Sequence, residues 1–352
     1  RSLKQDIVLG TEIKNENEVI IDNQYMGRLK GLKLELDLKS GSLKTDIKSL
    51  KKAARQGIAP ELIRRANAII KSEIFDIRDD CKIYWKENPI AYLIAGKNYL
   101  SPKLELIADE AIDGESKEKL KNNLKEKLNK LIDNELSDLV KLSEGKFKNN
   151  YVRALCYQLF ENNGVLKREI VNKTIKNISK EDRVDLRKAG IKIGRYHIFL
   201  PKMLKPNAVQ IRVKLWKLYF SEDKKNIIPK FGLNFFKTED NISKKFLLVC
   251  GFENFEKYYV RVDILERFFL KVIENTKEGM FCVNSDMINL IGSNKEDFFK
   301  LLKLMQYKRK TNEKEKKEYF VYQPKYTKNK ERSAKGTDKS SPFDKLSELR
   351  FR

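Results

Sequence analysis

The apolar positions change period several times along the chain, and each change predicts an element. Residues 12–36 read as a β-hairpin followed by an extended run: Val19, Ile20 and Ile21 are β-branched, Asp22 and Asn23 supply turn residues, and Tyr25, Met26 and Gly27 begin the return. From Ser42 to Ser72 the pattern is helical. Leu43, Ile47, Leu50 and Ala54 share one face, and Pro60 is expected to start a second helix carrying Leu62, Ile63, Ala66 and Ile70. A second hairpin comes next, built from Ile83-Tyr84-Trp85, the turn Lys86-Glu87-Asn88, and Pro89 to Leu93. After it Ser116–Leu142 predicts one amphipathic helix through Leu120, Leu124, Leu128, Ile132, Leu136 and Leu139. A strand pair followed by a helix, twice at a spacing of about 63 residues, suggests a duplicated unit; chance likeness of two degenerate copies is the competing reading.

Helices are expected at 147–162, 166–178 and 180–189, the last with Ser179 as N-cap and Glu181 and Asp182 favouring its dipole. Gly190 suits the left-handed end of that helix. A strand-like run, Ile191, Ile193, Tyr196, Ile198, Phe199 and Leu200, then ends at Pro201. Pro206 fits the first turn of a further helix burying Val209, Val213, Trp216 and Leu218 or their neighbours. Residues 221–258 are broken by Gly232, Asn234 and Asn241, with FLLVCGF a buried strand or short helix, and Val262 to Ile273 returns to helix.

From 284 to 323, Ser285 caps a short helix over Asp286–Ile291, and the turn Gly292-Ser293-Asn294 leads to a helix over Lys295–Gln306 burying Phe298, Phe299, Leu302 and Met305. The basic turn KRKTNEKEKK and the strand EYFVYQ complete the outline of a winged helix-turn-helix, against the alternative of a helical hairpin used only for packing. Residues 325–340 are lysine-rich and almost without apolar content, so disorder is expected; Phe343, Leu346 and Leu349 form a short apolar face beyond them. The whole pattern predicts an α+β fold, predominantly helical. Its segments are 1–78 and 79–190 (hairpin plus helices in each), 191–283 (central strands and helices), 284–324 (winged-helix-like) and 325–352 (basic tail).

Charge narrows the partners. The 74 Lys and Arg against 50 Asp and Glu leave a net charge of +24, which favours polyanions, although a lysine-rich surface also serves solubility. Cys81, Cys156, Cys250 and Cys282 form no C-x-x-C, which reads as reduced, cytosolic and structural; with a single histidine a zinc site is not expected. No apolar run approaches the roughly 20 residues of a membrane span. RSLKQDIV reads as the end of a helix already under way, so the chain is expected to be incomplete. There is no G-x-x-x-x-G-K-[ST] loop, and Gly96-Lys97 and Gly145-Lys146 lack its other members. Asp109-Glu110 is read as a solvated helix face, and any Ser–His or Cys–His pair would need His197, which is read as a satisfied structural histidine or one stacking on a base in preference to a general base. No catalytic residue and no metal or cofactor site is expected.

Around the central apolar skeleton sit Arg187, Lys188, Lys192, Arg195, His197, Lys202, Lys205, Arg212, Lys214 and Lys217, with Asp185 the nearest acid. Cations beside aromatic platforms are what a single-strand groove requires, and Arg195, Tyr196 and His197, then Trp216 and Tyr219, offer both; aromatics at such spacing also serve cores. Binding candidates are therefore Arg187, Lys188, Lys192, Arg195, His197, Lys202 and Lys205, with Lys308, Arg309 and Lys310 a second basic group.

The stretch LRKAGIKIGRYHIFLPKMLKP resembles the C-terminal segment of a bacterial group of superfamily-two helicases related to the mitochondrial-degradosome RNA helicases. EVIIDNQYMGRLKGLKLELD, IYWKENPIAYLIAGKNYLSPKLELIADEAIDG and SPFDKLSEL resemble the same group. The resemblance spans nearly the whole chain, and in those helicases it covers only the region C-terminal to the two motor domains. It implies an accessory region guiding single-stranded or partly duplex RNA or DNA, with motor domains in cis, ATP and Mg bound by that motor, and a ribonuclease partner as a further implication. Competing readings are a freestanding nucleic-acid-binding or adaptor protein, and a protein-interaction platform whose charge only solubilises.

Overall fold

Val19-Ile20-Ile21 lies in the second strand of a four-stranded antiparallel meander. Its strands are β1 (Thr11–Lys14), β2 (Glu18–Ile21), β3 (Gln24–Lys30) and β4 (Lys33–Leu36), paired in chain order. The computed structural model describes residues 11–21, 24–37, 44–221, 229–240, 242–312 and 317–323. Alternation along β2 sends Val19 and Ile21 into the core. The next element, α1 (Lys44–Lys71), is a single helix with Pro60 inside it, not two helices. The buried stripe Ala54, Ile58, Leu62, Ala66 and Ile69 runs straight past the proline, so packing on both sides outweighs the one ladder bond proline cannot donate.

A second meander repeats the first. It consists of β5 (Asp76–Ile77), β6 (Lys82–Trp85), β7 (Asn88–Ile94) and β8 (Lys103–Leu106), followed by α2 (Gly114–Glu135). Val19 faces Gly27 and Ile20 faces Tyr25 across a bulge; Ile83 faces Ala91 and Tyr84 faces Pro89 across a bulge at the same place. Each residue of the second set stands sixty-four positions after its counterpart. The two sheets meet where Leu32 bridges Ala108 and the Asp109 amide donates to the Leu32 carbonyl at 2.8 Å. Asp109 is 5% exposed, accepts from the amides of Leu34 and Ala111, and pairs with Arg55 at 3.4 Å. It fastens a buried loop between the sheets and does not lie on a solvated helix face.

The leucine stripe expected as one helix turns a corner at Leu136, whose φ of −115° separates α2 from α3 (Ser137–Ser143). Leu120 to Leu142 stay buried because both pieces face one core. After α4 (Asn150–Glu161) the expected helix at 166–178 gives way to β9 (Val165–Lys167), a 3₁₀ turn at Arg168–Val171, and α5 (Asn172–Lys176). Pairing of Val165 and Leu166 with Phe199 and Ile198 overrides the local pattern. Next come α6 (Lys180–Lys188), β10 (Lys192–Ile193), β11 (His197–Phe199), a 3₁₀ turn at Pro201–Leu204, and α7 (Pro206–Phe220). The sheet order is β10-β11-β9. Ser179 and Asp182 close a reciprocal capping box at the start of α6.

Arg212, read from the sequence as part of the charged coat, is wholly buried. It stands three residues after Val209 and four before Trp216, so the helical period places it on the apolar stripe. One terminal nitrogen donates to the Asn163 carbonyl, and burial lowers its pKa to about 10. Lys214 is also largely covered, donating to the Ile77 carbonyl at 2.6 Å. Beyond α7 lie β12 (Phe235–Lys237), α8 (Lys244–Val249), β13 (Phe252–Phe255), β14 (Tyr258–Arg261) and α9 (Val262–Asn275), with sheet order β12-β14-β13. The FLLVCGF ambiguity resolves as helix, because Phe246, Leu247 and Val249 pack around Trp216. One continuous core runs from Val19 to Leu215, so segments 1–78 and 79–190 and the start of the central region share an interior.

The chain divides into two compact units, one ending at Glu266 and one starting at Arg267. The second contains the remainder of α9, then β15 (Met280–Cys282), α10 (Ser285–Ile291), α11 (Lys295–Leu304), β16 (Tyr307–Asn312) and β17 (Lys317–Tyr322). Its sheet order is β15-β17-β16, and Phe268, Phe281, Ile291, Phe298, Leu302 and Phe320 are buried. Lys308, Arg309 and Lys310, expected in a turn, lie in β16. Asn284, not Ser285, supplies the cap of α10. Helices and small antiparallel sheets share the chain, so the fold is mixed α/β; "predominantly helical" overstates one half of it. The lysine-rich stretch 325–340 and the apolar face of Phe343, Leu346 and Leu349 lie outside the described residues. No helix among the described residues is long and apolar enough to cross a membrane.

Candidate nucleic-acid interface

The end of α6 sets the geometry. Gly190 has φ +86°, its amide donates to the Arg187 carbonyl at 3.0 Å, and the Ile191 amide reaches the Leu186 carbonyl at 2.9 Å. That left-handed reversal turns β10 back beside α6. Arg183 and Arg187 of α6, Arg168 of the 3₁₀ turn and Lys192 of β10 then surround a cavity of about 560 Å³, completed by Gly190, Ile191, Ile193 and Pro201. Among the described residues no carboxylate lines it. Arg168 is fixed by donating to the Gly194 carbonyl at 2.8 Å, and Arg183 by donating to the Ile175 carbonyl at 3.3 Å.

Arg183 and Arg187 lie one helical turn apart on the same face, and neither has an acid three or four residues away in the sequence. A like-charged pair at that spacing costs an isolated helix about 0.2–0.5 kcal/mol. By contrast Lys188, on the other side of the same helix end, has Asp185 at 3.6 Å. The carboxylate behind the cavity floor is Asp138, placed so that a Cβ on Gly190 would come within 2.8 Å of its Oδ2. Lys202 at 3.3 Å and Lys141 at 3.9 Å pair with its Oδ1, while its Oδ2 is buried with no hydrogen-bond partner among the described residues.

A second construction holds the turn next to the cavity. His197 is only 2% exposed, with Nε2 2.8 Å from Glu253 Oε2 and Nδ1 3.2 Å from Glu266 Oε1. Glu266 also accepts the backbone N–H groups of Arg195, Tyr196 and His197, at 2.6, 2.8 and 2.8 Å. Lys167 donates to Glu253 at 2.8 Å. Gly194 is required here, since a Cβ would come 2.5 Å from the Glu266 carboxyl carbon. Burial pushes the imidazole pKa down, but hydrogen bonds and charge from Glu253 and Glu266 outweigh it and the net shift is upward. Burial likewise raises both carboxylates, and their contacts with His197, with Lys167 for Glu253 and with the three amides for Glu266, leave each below its ordinary value.

His197 is therefore withdrawn from the surface contacts expected of it from the sequence. Both ring nitrogens are occupied inside the protein, so it neither stacks on a base nor serves as a general base. Its role is to pin the turn that carries Arg195 and Tyr196 outward. The strand-like run is thus two short strands, and Arg195 sits in the turn between them. The Arg195 guanidinium carbon lies 5.7 Å from the Tyr196 ring centroid, and Tyr196 is 37% exposed. A cation on an aromatic ring at the surface is a platform on which a base can stack.

The remaining candidates scatter. Arg187 and Lys192 line the cavity, whereas Lys188, Lys202 and Lys205 do not, Lys205 being exposed at the start of α7. Lys308, Arg309 and Lys310 are exposed on β16 of the second unit, where Arg309 pairs with Glu318 and stands 6.0 Å from the Phe299 ring centroid. Trp216 is fully buried, and the Tyr219 hydroxyl donates to the Lys97 carbonyl at 3.4 Å. Arg168 and Arg183 are not among the residues singled out by sequence, although Arg183 stands four residues before Arg187, the spacing that puts both on one face. Among the described residues no group of three or more His, Cys, Asp or Glu side chains is arranged to hold a metal ion. Comparison with known protein families, curated proteins and solved structures gives no match.

Proposed function

We propose that this chain binds single-stranded nucleic acid through the cavity between α6 and β10 and the Arg195–Tyr196 turn, as a non-catalytic accessory region of an ATP-dependent helicase. The observation that carries the binding half is the cavity itself, with four cations around one space and no carboxylate in its lining among the described residues. Like-charged side chains one turn apart on a helix face lower the stability of the helix, and phosphate is a common anion that offsets such a pair. The helicase half rests on the resemblance of Leu186–Pro206 and its companion stretches. ATP and Mg would belong to the motor in cis, and a ribonuclease partner belongs to the same reading.

The second unit supports a winged-helix reading: helix, strand, two helices and a hairpin in chain order, with the first strand pairing onto the last. In it β16 and β17 form the wing and carry Lys308, Arg309 and Lys310. The two meander-plus-helix units read as a duplicated scaffold beneath the site. A freestanding adaptor would make the same contacts, and a motor sequence in the same reading frame would decide between the two.

The binding half is tested by titrating the full chain with a single-stranded oligonucleotide between about 50 and 200 mM salt. Affinity is expected to fall with a log–log slope of about −0.7 per phosphate contacted. Absence of binding at the low-salt end, or an affinity indifferent to salt, would refute it.

A further inference from the structure

We propose that the cavity of Arg168, Arg183, Arg187 and Lys192 is an end-site, taking the terminal phosphomonoester of a nucleic-acid strand. This rests on the proposed nucleic-acid binding and goes beyond it by naming which phosphate the cavity takes. A strand passing along a surface presents monoanionic diesters one after another, and a surface that tracks it spaces its cations accordingly. Here the cations converge. Arg183 and Arg187 are neighbours on one helix face, and Arg168 and Lys192 close on the same cavity from the turn after β9 and from β10. A phosphomonoester carries about −1.5 to −2 at neutral pH and offers three acceptor oxygens, which matches clustered guanidinium forks better than a diester does.

The forks are also oriented beforehand. Arg168 uses one terminal nitrogen on the Gly194 carbonyl and Arg183 uses one on the Ile175 carbonyl, which holds each plane in place and leaves the other N–H groups for a ligand. At about 560 Å³ the half-open cavity exceeds a phosphate alone and has room for the terminal sugar beside it. Ile191, Ile193 and Pro201 supply an apolar wall for it. The Arg195–Tyr196 turn is joined to the cavity through the Arg168–Gly194 hydrogen bond, so a base next to the bound end can stack there.

The experiment compares one labelled oligonucleotide sequence in three forms, with a 5′-phosphate, with a 3′-phosphate and with hydroxyls at both ends, on the full chain at fixed salt. One phosphorylated form is expected to bind about tenfold more tightly than the hydroxyl form, since a charge-assisted contact of about 1.4 kcal/mol corresponds to that factor. Replacing Arg183→Gln and Arg187→Gln together should reduce that form to the affinity of the hydroxyl-ended strand, with the thermal melt retained. Lys192→Gln alone, on the strand side of the cavity, should shrink the preference in the same direction, and it serves if the double variant fails to fold. Equal affinity for all three forms, or a preference that survives these substitutions, overturns the end-site while leaving strand binding intact. Inorganic phosphate competing as well as the phosphorylated oligonucleotide would show a free-anion site and overturn it too. If no form binds at low salt, the nucleic-acid reading itself has failed.

Discussion

His197 shows how much one side chain can fix. Its two nitrogens join Glu253 and Glu266, and Glu266 gathers three successive amides, so the sheet β10-β11-β9 is tied to β13 and α9 through one imidazolium. The directions of the shifts set the pH dependence. The imidazole is raised from about 6.5, so its contribution is complete below that value and is lost as pH climbs through the higher folded value. Glu253 and Glu266 are lowered from about 4.5, so theirs is complete above that value and is lost as pH falls through the lower folded values. The clamp is therefore strongest between about 4.5 and 6.5. Thermal melts of the parent and of His197→Gln, measured from acid to alkaline pH, should show the parent losing stability above that window. The variant should be less stable within it by about 3 kcal/mol, the low end for a broken buried pair, because buried Glu266 and partly buried Glu253 lose their shared partner while Lys167 and the three amides remain. Parallel pH profiles for the two proteins would mean that the imidazole is not charged in the fold.

Among elements, those whose packing is local were the legible ones. The α1 stripe from Ala54 onward, the stripes of α2 and α7, the Ser179 cap of α6 and the left-handed Gly190 are dictated by period and residue type alone, while Leu43, Ile47 and Leu50 lie outside the residues whose side chains are described. β9 is not, because Val165 and Leu166 become a strand only by pairing with β11, more than thirty residues away in sequence. The same pairing brings Arg168 to the cavity, which is why it escapes a reading by sequence neighbours. Arg183, one helical turn before Arg187, is legible from the period but hidden by its neighbouring acids, and Arg187 and Lys192 flank the glycine that reverses the chain. Arg212 was legible and misread: its place on the Val209–Trp216 stripe is plain from the period, but its charge suggested the surface. Pro60 is the opposite case, a strong breaker overruled by core on both sides. Since Pro60 itself is exposed in mid-helix, Pro60→Ala should restore a ladder bond and raise stability. The expected gain is roughly 2 kcal/mol, the helix-interior penalty of proline less its restriction of the unfolded chain. A lower melting temperature for Pro60→Ala would show that the helix needs the local distortion that the proline imposes.

For the molecule as a whole, the net charge of +24 implies that salt should act in opposite directions on folding and on the proposed binding. Many of the described ion pairs, such as Lys30 with Glu35 and Lys119 with Glu115, are exposed and contribute little each, so salt removes little stability by screening them. The excess cations repel one another over distances comparable to the Debye length, about 10 Å at 0.1 M, and the compact state concentrates that repulsion more than the unfolded chain does. Raising sodium chloride from about 0.05 to 0.5 M should therefore raise the melting temperature of the free protein while it weakens the grip on nucleic acid. Saturating the protein with a single-stranded oligonucleotide at low salt should raise the melt as well, by mass action and by neutralising the same cations, and the two gains should not add at high salt. The measurement is a grid of thermal melts with and without oligonucleotide across that salt range. A free protein that melts lower as salt rises would mean that attractive pairs outweigh the excess charge, and the cluster at α6 and β10 would then be a compensated surface instead of a site held open for an anion.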